Sequence, residues 1–557
     1  MKTKNLPLIA FLFFITIQLS YSQEHLKEIH NENPDDEYIE VDKSLMPRQK
    51  GYKLRRSDII TSQVNVDANG MDIIGDAANE PSIAVDPTNP SRIVIGWRQF
   101  DTVTNNFRQA GYGYSLDGGF SWTFPGVIEP GVFRSDPVLD FDAQGNFYYN
   151  SLIVPVPNVY QCDVHQITDG GVSWVGPFPA FGGDKQWMRM DRSGGIGDQN
   201  NYSYWNSNFS DCAPNNFTRS TDGSFTFEDC ILVNGDPFWG TLAVDKNGVL
   251  YVTGAGGGGI ILIKSTNAQD PNATISWDFV TDVNLGGLLD AGSQVNPAGL
   301  MGQAWVDVDI SDGAGEDNVY VLASVVPSGD PIDVMFAKST DGGLTFEPAI
   351  RINTDDTGHY NWFGTMSVAP NGRIDVIWLD TRDDPNNRES RLYYSFSEDQ
   401  GETWSNNEPL SPLFDSRIGW PQQNKMGDYF DMVSDNNYAH VAWTNTLNGG
   451  QDVYYSRIDP KNVIFSIEDN QKPFSSFSVL PNPSRDNVTL KFETIELQKV
   501  TITLYDLQGR VVDQILDKEC IGEQQIPYTI NKSLQSGIYF VKIQSGKFSE
   551  TVKLIIA

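Results

Sequence analysis

The chain is 557 residues long, with a formal net charge of −33, 50 glycines and 30 prolines. Its length admits one large repeat array with accessory domains, and its acidity excludes nucleic-acid binding through phosphate neutralisation. Abundant aromatic and turn residues, without long helical periodicity, place it in the all-β class.

The N-terminus carries Lys2 and Lys4, an apolar run from Leu6 to Ile17 and the small-residue exit Ser20-Tyr21-Ser22. This is the pattern of a secretory signal peptide over residues 1–22, with an apolar part too short to span a bilayer. No later stretch is apolar enough for a transmembrane segment. Residues 23–57 form a polar N-terminal extension whose charge predicts little fixed structure. Export brings oxidising conditions, so a disulfide is expected among Cys162, Cys212, Cys230 and Cys520. Cys212 and Cys230 flank one hairpin and are the first choice, with Cys162 as a competitor. No Cys/His cluster has zinc-ligand spacing.

Between residues 58 and 460 two patterns alternate. Ser115-Leu-Asp117-Gly-Gly119-Phe-Ser-Trp122 recurs at Ser220 to Phe227, Ser339 to Phe346 and Ser397 to Trp404. Ile167 to Trp174 lacks only the leading serine, and Ser265 to Trp277 is a degenerate copy with an insertion. Asp accepts hydrogen bonds from turn N–H groups, Gly supplies positive φ, and the aromatic residue packs beneath, so each copy is a hairpin staple. Apolar strand pairs begin near Glu80, Asp136, Lys185, Phe238, Gln303, Phe363 and Asp428, the last without a staple. Turns such as Lys246-Asn-Gly248 and Pro370-Asn-Gly372 join them. Seven pairs argue for seven blades, with six as the alternative, and Ile59 to Val66 is the expected closing strand.

The eight-residue pattern resembles the Asp-box, or bacterial neuraminidase repeat, of sialidases and related propellers. The resemblance implies an Asp-box β-propeller over residues 58–460. After a linker at 461–477, residues 478–557 carry Pro481-Asn-Pro-Ser484, Asn487-Val-Thr-Leu490, Leu504 to Val512 and Ser536 to Ile543. These alternate like the strands of a small β-sandwich. In order and wording they resemble the type A sorting domain of the type IX secretion system of Bacteroidetes. That resemblance implies export by the type IX machinery to the medium or the outer-membrane surface.

In a propeller each first strand begins at the funnel mouth, and its antiparallel second strand ends there. The first position offers Glu80, Asp136, Asp184, Lys185, Trp187, Trp239, Gln303, Trp305, Trp362, Asp428 and Tyr429. The second offers Arg98, Asn150, Trp205, Asn206, Asp380, Arg382 and Asn445. Asp136, Asp184, Asp380 and Asp428, with Tyr429, are the catalytic candidates, since glycoside hydrolysis works through paired carboxylates. Glu80, Arg98, Lys185, Trp187, Trp239, Trp305, Trp362 and Arg382 are the substrate-binding candidates, the indoles stacking on sugar faces and the charges fixing polar groups.

The expected function is a secreted or cell-surface, sialidase-like glycoside hydrolase acting on extracellular carbohydrate. A second reading is a polysaccharide lyase, with His359 or Tyr360 removing a proton while Arg382 neutralises a uronate. A third is a non-catalytic glycan-binding or adhesion propeller. The sialidase resemblance implies a three-arginine clamp from Arg98, Arg382 and either Arg134 or Arg417, with Tyr429 beside Asp428 for part of a nucleophile pair. Yet the first repeat opens with Asn79-Glu-Pro-Ser82 where sialidases have Phe-Arg-Ile-Pro, so sialidase activity itself is not expected. No cofactor is required by these chemistries. The Asp-rich turns admit a structural Ca²⁺, although EF-hand spacing is absent and no metal ligands are assigned. The expected partners are a glycan and the secretion machinery, and the expected state is a monomer.

Overall fold

A computed structural model describes residues 36–168, 173–463, 474–545 and 548–557. The signal segment, the staple turn at 169–172 and the 464–473 part of the linker lie outside the described residues. The chain divides into two compact units between residues 465 and 466.

The first unit is a succession of antiparallel sheets. Their first strands are Ala77–Val85, Ser135–Phe141, Trp187–Met190, Leu242–Val244, Trp305–Val308, Asn361–Val368 and Asp431–Ser434. Each pairs with a second strand, the second with a third, and most sheets gain a fourth. Consecutive first strands pack on one another, and the last packs on the first. Trp97, Trp378 and Trp443, on second strands, are fully buried between sheets. Such indoles each remove roughly 150–250 Å² from water, which makes them the main adhesive between neighbours.

A first strand uses one edge for its own sheet. The other edge faces the next sheet and would bury unpaired N–H groups, at about 1–3 kcal/mol each. Side chains of neighbouring first strands answer them. Ser82 accepts from the Leu139 N–H and Asp140 from the Met190 N–H (2.8 and 2.6 Å). Arg189 donates to the Leu242 carbonyl at the next step. Thr241 accepts from Val306, Asp307 from Val368 and Ser367 from Ser434. Asp431 accepts from Ile83 and returns the series to its start.

The closing strand is as expected: Ile59–Gln63 pairs with Asp452–Ile458, with Ile59 opposite Ile458. Residues 23–35 of the polar extension lie outside the described residues, and the rest, 36–57, departs from the expectation of little fixed structure. Within it, Arg48–Lys50 pairs with Met71–Ile73 and Lys53–Arg55 with the closing strand. Backbone ladders and ion pairs such as Arg48–Asp67 order this segment, which hydrophobicity alone does not. Cys212 and Cys230 are bridged, with Cα atoms 6.1 Å apart, and Cys162 and Cys520 are buried thiols.

The staples form as their chemistry requires. Ser115, Ser220, Ser339 and Ser397 donate to the Asp two residues on and accept an N–H from four residues on. In the degenerate copy Asn267 takes the Asp place, accepting from the Ser265 hydroxyl and, across the insertion, from the Ser276 N–H.

The second unit is one antiparallel sheet of Phe474–Leu480, Asn487–Tyr505, Val511–Thr529, Gly537–Ser545 and Phe548–Ile556. The expected two-sheet sandwich gives way to a near-barrel, because the 19-residue strand Asn487–Tyr505 pairs with three others. Leu490, Ile502, Leu504, Val541 and Ile543 fill its interior.

Candidate functional site

First strands are entered through residues in the left-handed conformation. The φ values are 49° at Glu80, 46° at Asp136, 53° at Lys185, 53° at Trp239 and 56° at Phe363. Gly302 (134°) and Gly427 (111°) hold the corresponding places before Trp305 and Asp431. For a non-glycine residue this costs roughly 1–2 kcal/mol. Three of these residues open a bulge in which two residues face one. Glu80-Pro81 lies opposite Trp97, Asp136-Pro137 opposite Ser151, and Phe363-Gly364 opposite Trp378. A bulge bends its strand and re-aims a side chain, and here charged side chains from several sheets meet.

Lys185 is the hub. Its Nζ lies 2.9 Å from Asp428, 3.2 Å from Asp184 and 3.9 Å from Asp136. Lys425 lies 2.7 Å from Asp428 and 3.5 Å from Glu80. Arg98 lies 3.0 Å from Glu80 and donates through Nε to Asn79. Asn206 donates to Asp184, while Asp136 accepts from the Lys185 N–H and the Ser135 hydroxyl. Glu80, Arg98, Asp136 and Asp184 are 0% exposed, and Lys185 and Asp428 are 1% exposed. Burial, opposed by Arg98 and Lys425 and reinforced by Asp428 and Asp136, pushes the Glu80 carboxyl up to about 8. With Glu80 protonated, the formal charges of Arg98, Lys185 and Lys425 balance those of Asp136, Asp184 and Asp428. Balance of this kind is what a buried ion network needs to persist.

An inserted hairpin, Ala291–Ser293 with Asn296–Leu300, is fastened onto this group. Leu300 N–H donates to Asp428 (2.9 Å), Asn296 donates to the Gly427 carbonyl, and Asn296 accepts from the Met426 N–H. The Ser416 hydroxyl donates to the Val295 carbonyl.

The aromatic candidates lie beside the network as packing. Trp187 meets Trp305 edge-on at 5.1 Å and Tyr429 at 5.3 Å. The Tyr429 hydroxyl donates to the Pro137 carbonyl. Trp239 packs on Phe238, and Trp362 on Phe363. None of the four indoles is more than 3% exposed.

Asp380 and Arg382 belong to a different cluster, on the sixth sheet. Asp380 accepts from Trp378 Nε1 and from Arg382 N and Nε. The Arg382 guanidinium lies 4.4 Å over Tyr393 and 3.4 Å from Asp355. His359 pairs with Asn387 at 2.7 Å, and the Tyr360 N–H donates to Thr381 beside it. Arg134 pairs with Glu129 and Asp163, and Arg417 with Asp415. The four arginines named for a clamp thus each face their own carboxylate. Asn150 donates to Ser203, and Trp205, Gln303 and Asn445 are buried.

Sequence reasoning missed Lys425, Asn79 and the hairpin. Lys425 sits two residues before Gly427, and only the turn at that glycine brings it to Asp428 and Glu80. Asn79 carried a usable signal in Asn79-Glu-Pro, a polar residue before a bulge. A cavity of about 580 Å³ opens elsewhere, between the fourth-sheet strand Phe279–Val283 and the staple of the fifth sheet. Thr281, Asp282, Asn284, Met335, Phe346 and Glu347 are among its lining. None of the residues of the Lys185 network is among its lining. Among the described residues no group of three or more His, Cys, Asp or Glu is arranged to hold a metal ion.

Residues 478–557 match the model of the secretion system C-terminal sorting domain. The second unit is a type IX sorting domain, and the protein is directed to secretion or the cell surface. No curated protein matches the sequence. The chain is similar to a protein of unknown function from Dyadobacter fermentans, at 16% identity, TM-score 0.41, 73% of this chain and 98% of that one. It is similar to an α-L-arabinofuranosidase of Fusarium graminearum at 12% identity, TM-score 0.37, covering 70% and 94%. A Trypanosoma rangeli sialidase is similar at 11% identity, TM-score 0.34, covering 90% and 89%. At these scores nothing about activity passes from them to this chain.

Proposed function

We propose that this exported chain is a seven-bladed Asp-box propeller that binds extracellular carbohydrate without cleaving it. The closed succession of first strands, with its series of hydrogen bonds returning from Asp431 to Ile83, supports the blade count. One observation carries the functional reading: the axial acids are balanced by Arg98, Lys185 and Lys425 and buried, with Asp428 fastened to the Ala291–Leu300 hairpin. An acid–base pair needs access to substrate, and these groups have none in this state. Recognition falls to the flank depression, an open surface whose exposed polar side chains can meet a glycan. Phe346 offers a ring there, and Asp282, Asn284 and Thr281 offer hydroxyl partners.

Hydrolysis is the second reading, and it rests on Glu80. Its carboxyl keeps a proton at neutral pH beside Asp428 and Asp136, as a general acid must. In that reading the hairpin moves aside to admit substrate.

The test is to incubate the mature chain with sialylated, neutral and uronate-containing polysaccharides. Binding, new reducing ends and unsaturated-uronate absorbance are followed together. Binding with neither product is expected, weakened about tenfold or more by Phe346→Ala and unchanged by Glu80→Gln. Reducing ends that vanish in Glu80→Gln would replace binding with hydrolysis. Unsaturated products would instead point to His359 and Tyr360.

A further inference from the structure

Where the two ends of the first unit meet, acid collects with little counter-charge. Asp72, on strand Met71–Ile73, Asp76 just after it, and Asp452, opening strand Asp452–Ile458, are all at least nine-tenths buried. Amides hold several of their oxygens. Gln49 and Gln63 donate to Asp72 (2.7 and 2.8 Å), Asn65 to Asp452 (2.8 Å) and Gln99 to Asp76 (3.0 Å). Asp76 Oδ1 and Asp452 Oδ2 are buried without a hydrogen-bond partner.

The nearest cation is Lys43, which lies 2.8 Å from Asp101 and 3.8 Å from Asp76. Tyr454 lies near Asp452 and Asp72, and Tyr52 packs edge-on against it at 5.8 Å. Arg48 is engaged by Asp67. Lys43, Arg48, Gln49 and Tyr52 all come from the N-terminal segment 36–57, which lies as a strap across this junction. Three carboxylates in a dry seam, facing one partly exposed ammonium that is shared with Asp101, do not all ionise.

We propose that Asp76 and Asp452, crowded by Asp72, form a proton-operated latch: protonated, they hold the N-terminal strap against the junction of the first and last sheets, and deprotonated, they release it. Burial, opposed by Lys43 and reinforced by Asp72, pushes the Asp76 carboxyl up to about 7. Burial, reinforced by Asp72 and Asp76, pushes Asp452 well above the usual carboxylate range. With the strap docked, Asp76 and Asp452 therefore keep protons that they give up near pH ~4 once water reaches them. The grip is full below that pH and falls as pH rises through about 7. Release bares the loop at 101–107, where Tyr38 packs 5.4 Å from Phe107 and Asp36 accepts from the Asn106 N–H.

Hydrogen exchange on the mature chain tests this, with exposure times matched for intrinsic rate from pH ~5 to ~8. Protection of residues 43–56 is expected to fall about tenfold or more across that range, while the third to fifth sheets stay protected. Asp76→Asn should keep the strap protected at the alkaline end. Lys43→Met removes the charge that favours ionised Asp76, so the fall should move to higher pH. Strap protection independent of pH in the native chain, or an unchanged fall in Asp76→Asn, overturns the latch. Should Asp76→Asn fail to fold, Lys43→Met decides, and an unmoved midpoint overturns it.

Discussion

At Asp341 and its counterparts Asp117, Asp222 and Asp399, the carboxylate lies at the surface and draws every donor from its own turn. Around Lys185 the carboxylates are buried, and their ion pairs join residues at the starts of the second, third and seventh sheets. The staple can recur because each copy carries its whole set of partners within about eight residues. The axial group cannot, since each position answers to a different neighbour. Their acid responses differ in sign too. The Thr345 hydroxyl and N–H hold Asp341 below the usual carboxylate range, whereas burial lifts Glu80.

The contrast breaks most sharply at the hub. Lys185→Met leaves Asp136, Asp184 and Asp428 short of their shared cation, and a loss of about 3–5 kcal/mol in denaturant unfolding is expected. A loss of under about 1 kcal/mol would mean that water or protons already neutralise the group. Glu80→Gln preserves the neutral shape and should cost less, about 1–2 kcal/mol near neutral pH. It should also flatten one component of the pH response. Native Glu80 holds a proton between 4.5 and about 8 that the unfolded chain has released, so its contribution to stability declines as pH rises across that window.

Asp341→Ala, in a staple, should cost about 1 kcal/mol by thermal or denaturant melting. The Asp341 contribution is present above the unfolded pKa of 3.8 and is lost as pH falls, opposite to Glu80. Combined with Asp117→Ala, on a distant sheet, the losses should add, because neither staple shares a partner with the other. The smallest effect belongs to the degenerate copy. Asn267 already accepts from Ser265 and Ser276, so Asn267→Asp should change stability by no more than about 0.5 kcal/mol. A larger gain would show that charge, rather than hydrogen-bond geometry, makes a staple.

Much of the fold was readable because its signals are short. Ser-x-Asp-x-Gly, Asn-Gly and alternating apolar residues each name a hairpin from within ten residues, and the closing strand at Ile59 followed from the need of a ring of sheets to join its two ends. The candidate mouth residues were half-readable. Glu80, Arg98, Asp136, Asp184, Lys185 and Asp428 do assemble, as strand starts and ends suggest, while Asp380 and Arg382 form a pair of their own. What failed to read was exposure. A tryptophan at a strand start has the same letters whether it faces a sugar or, like Trp187, another indole.

Taken alone, the sequence determined the all-β class, the repeat and its staples and the sorting domain, because each is complete in local hydrogen bonding or strand alternation. Tertiary structure alone decided that the buried charges around Lys185 pair with one another, that the Ala291–Leu300 hairpin fastens to them and that the N-terminal segment straps the seam. Those outcomes depend on left-handed residues that re-aim side chains and on partners far apart in the chain, such as Leu300 and Asp428 or Tyr429 and Pro137, 128 and 292 residues distant. No short window of sequence contains both members of such a pair, and only the closing of the ring brings them within hydrogen-bond reach.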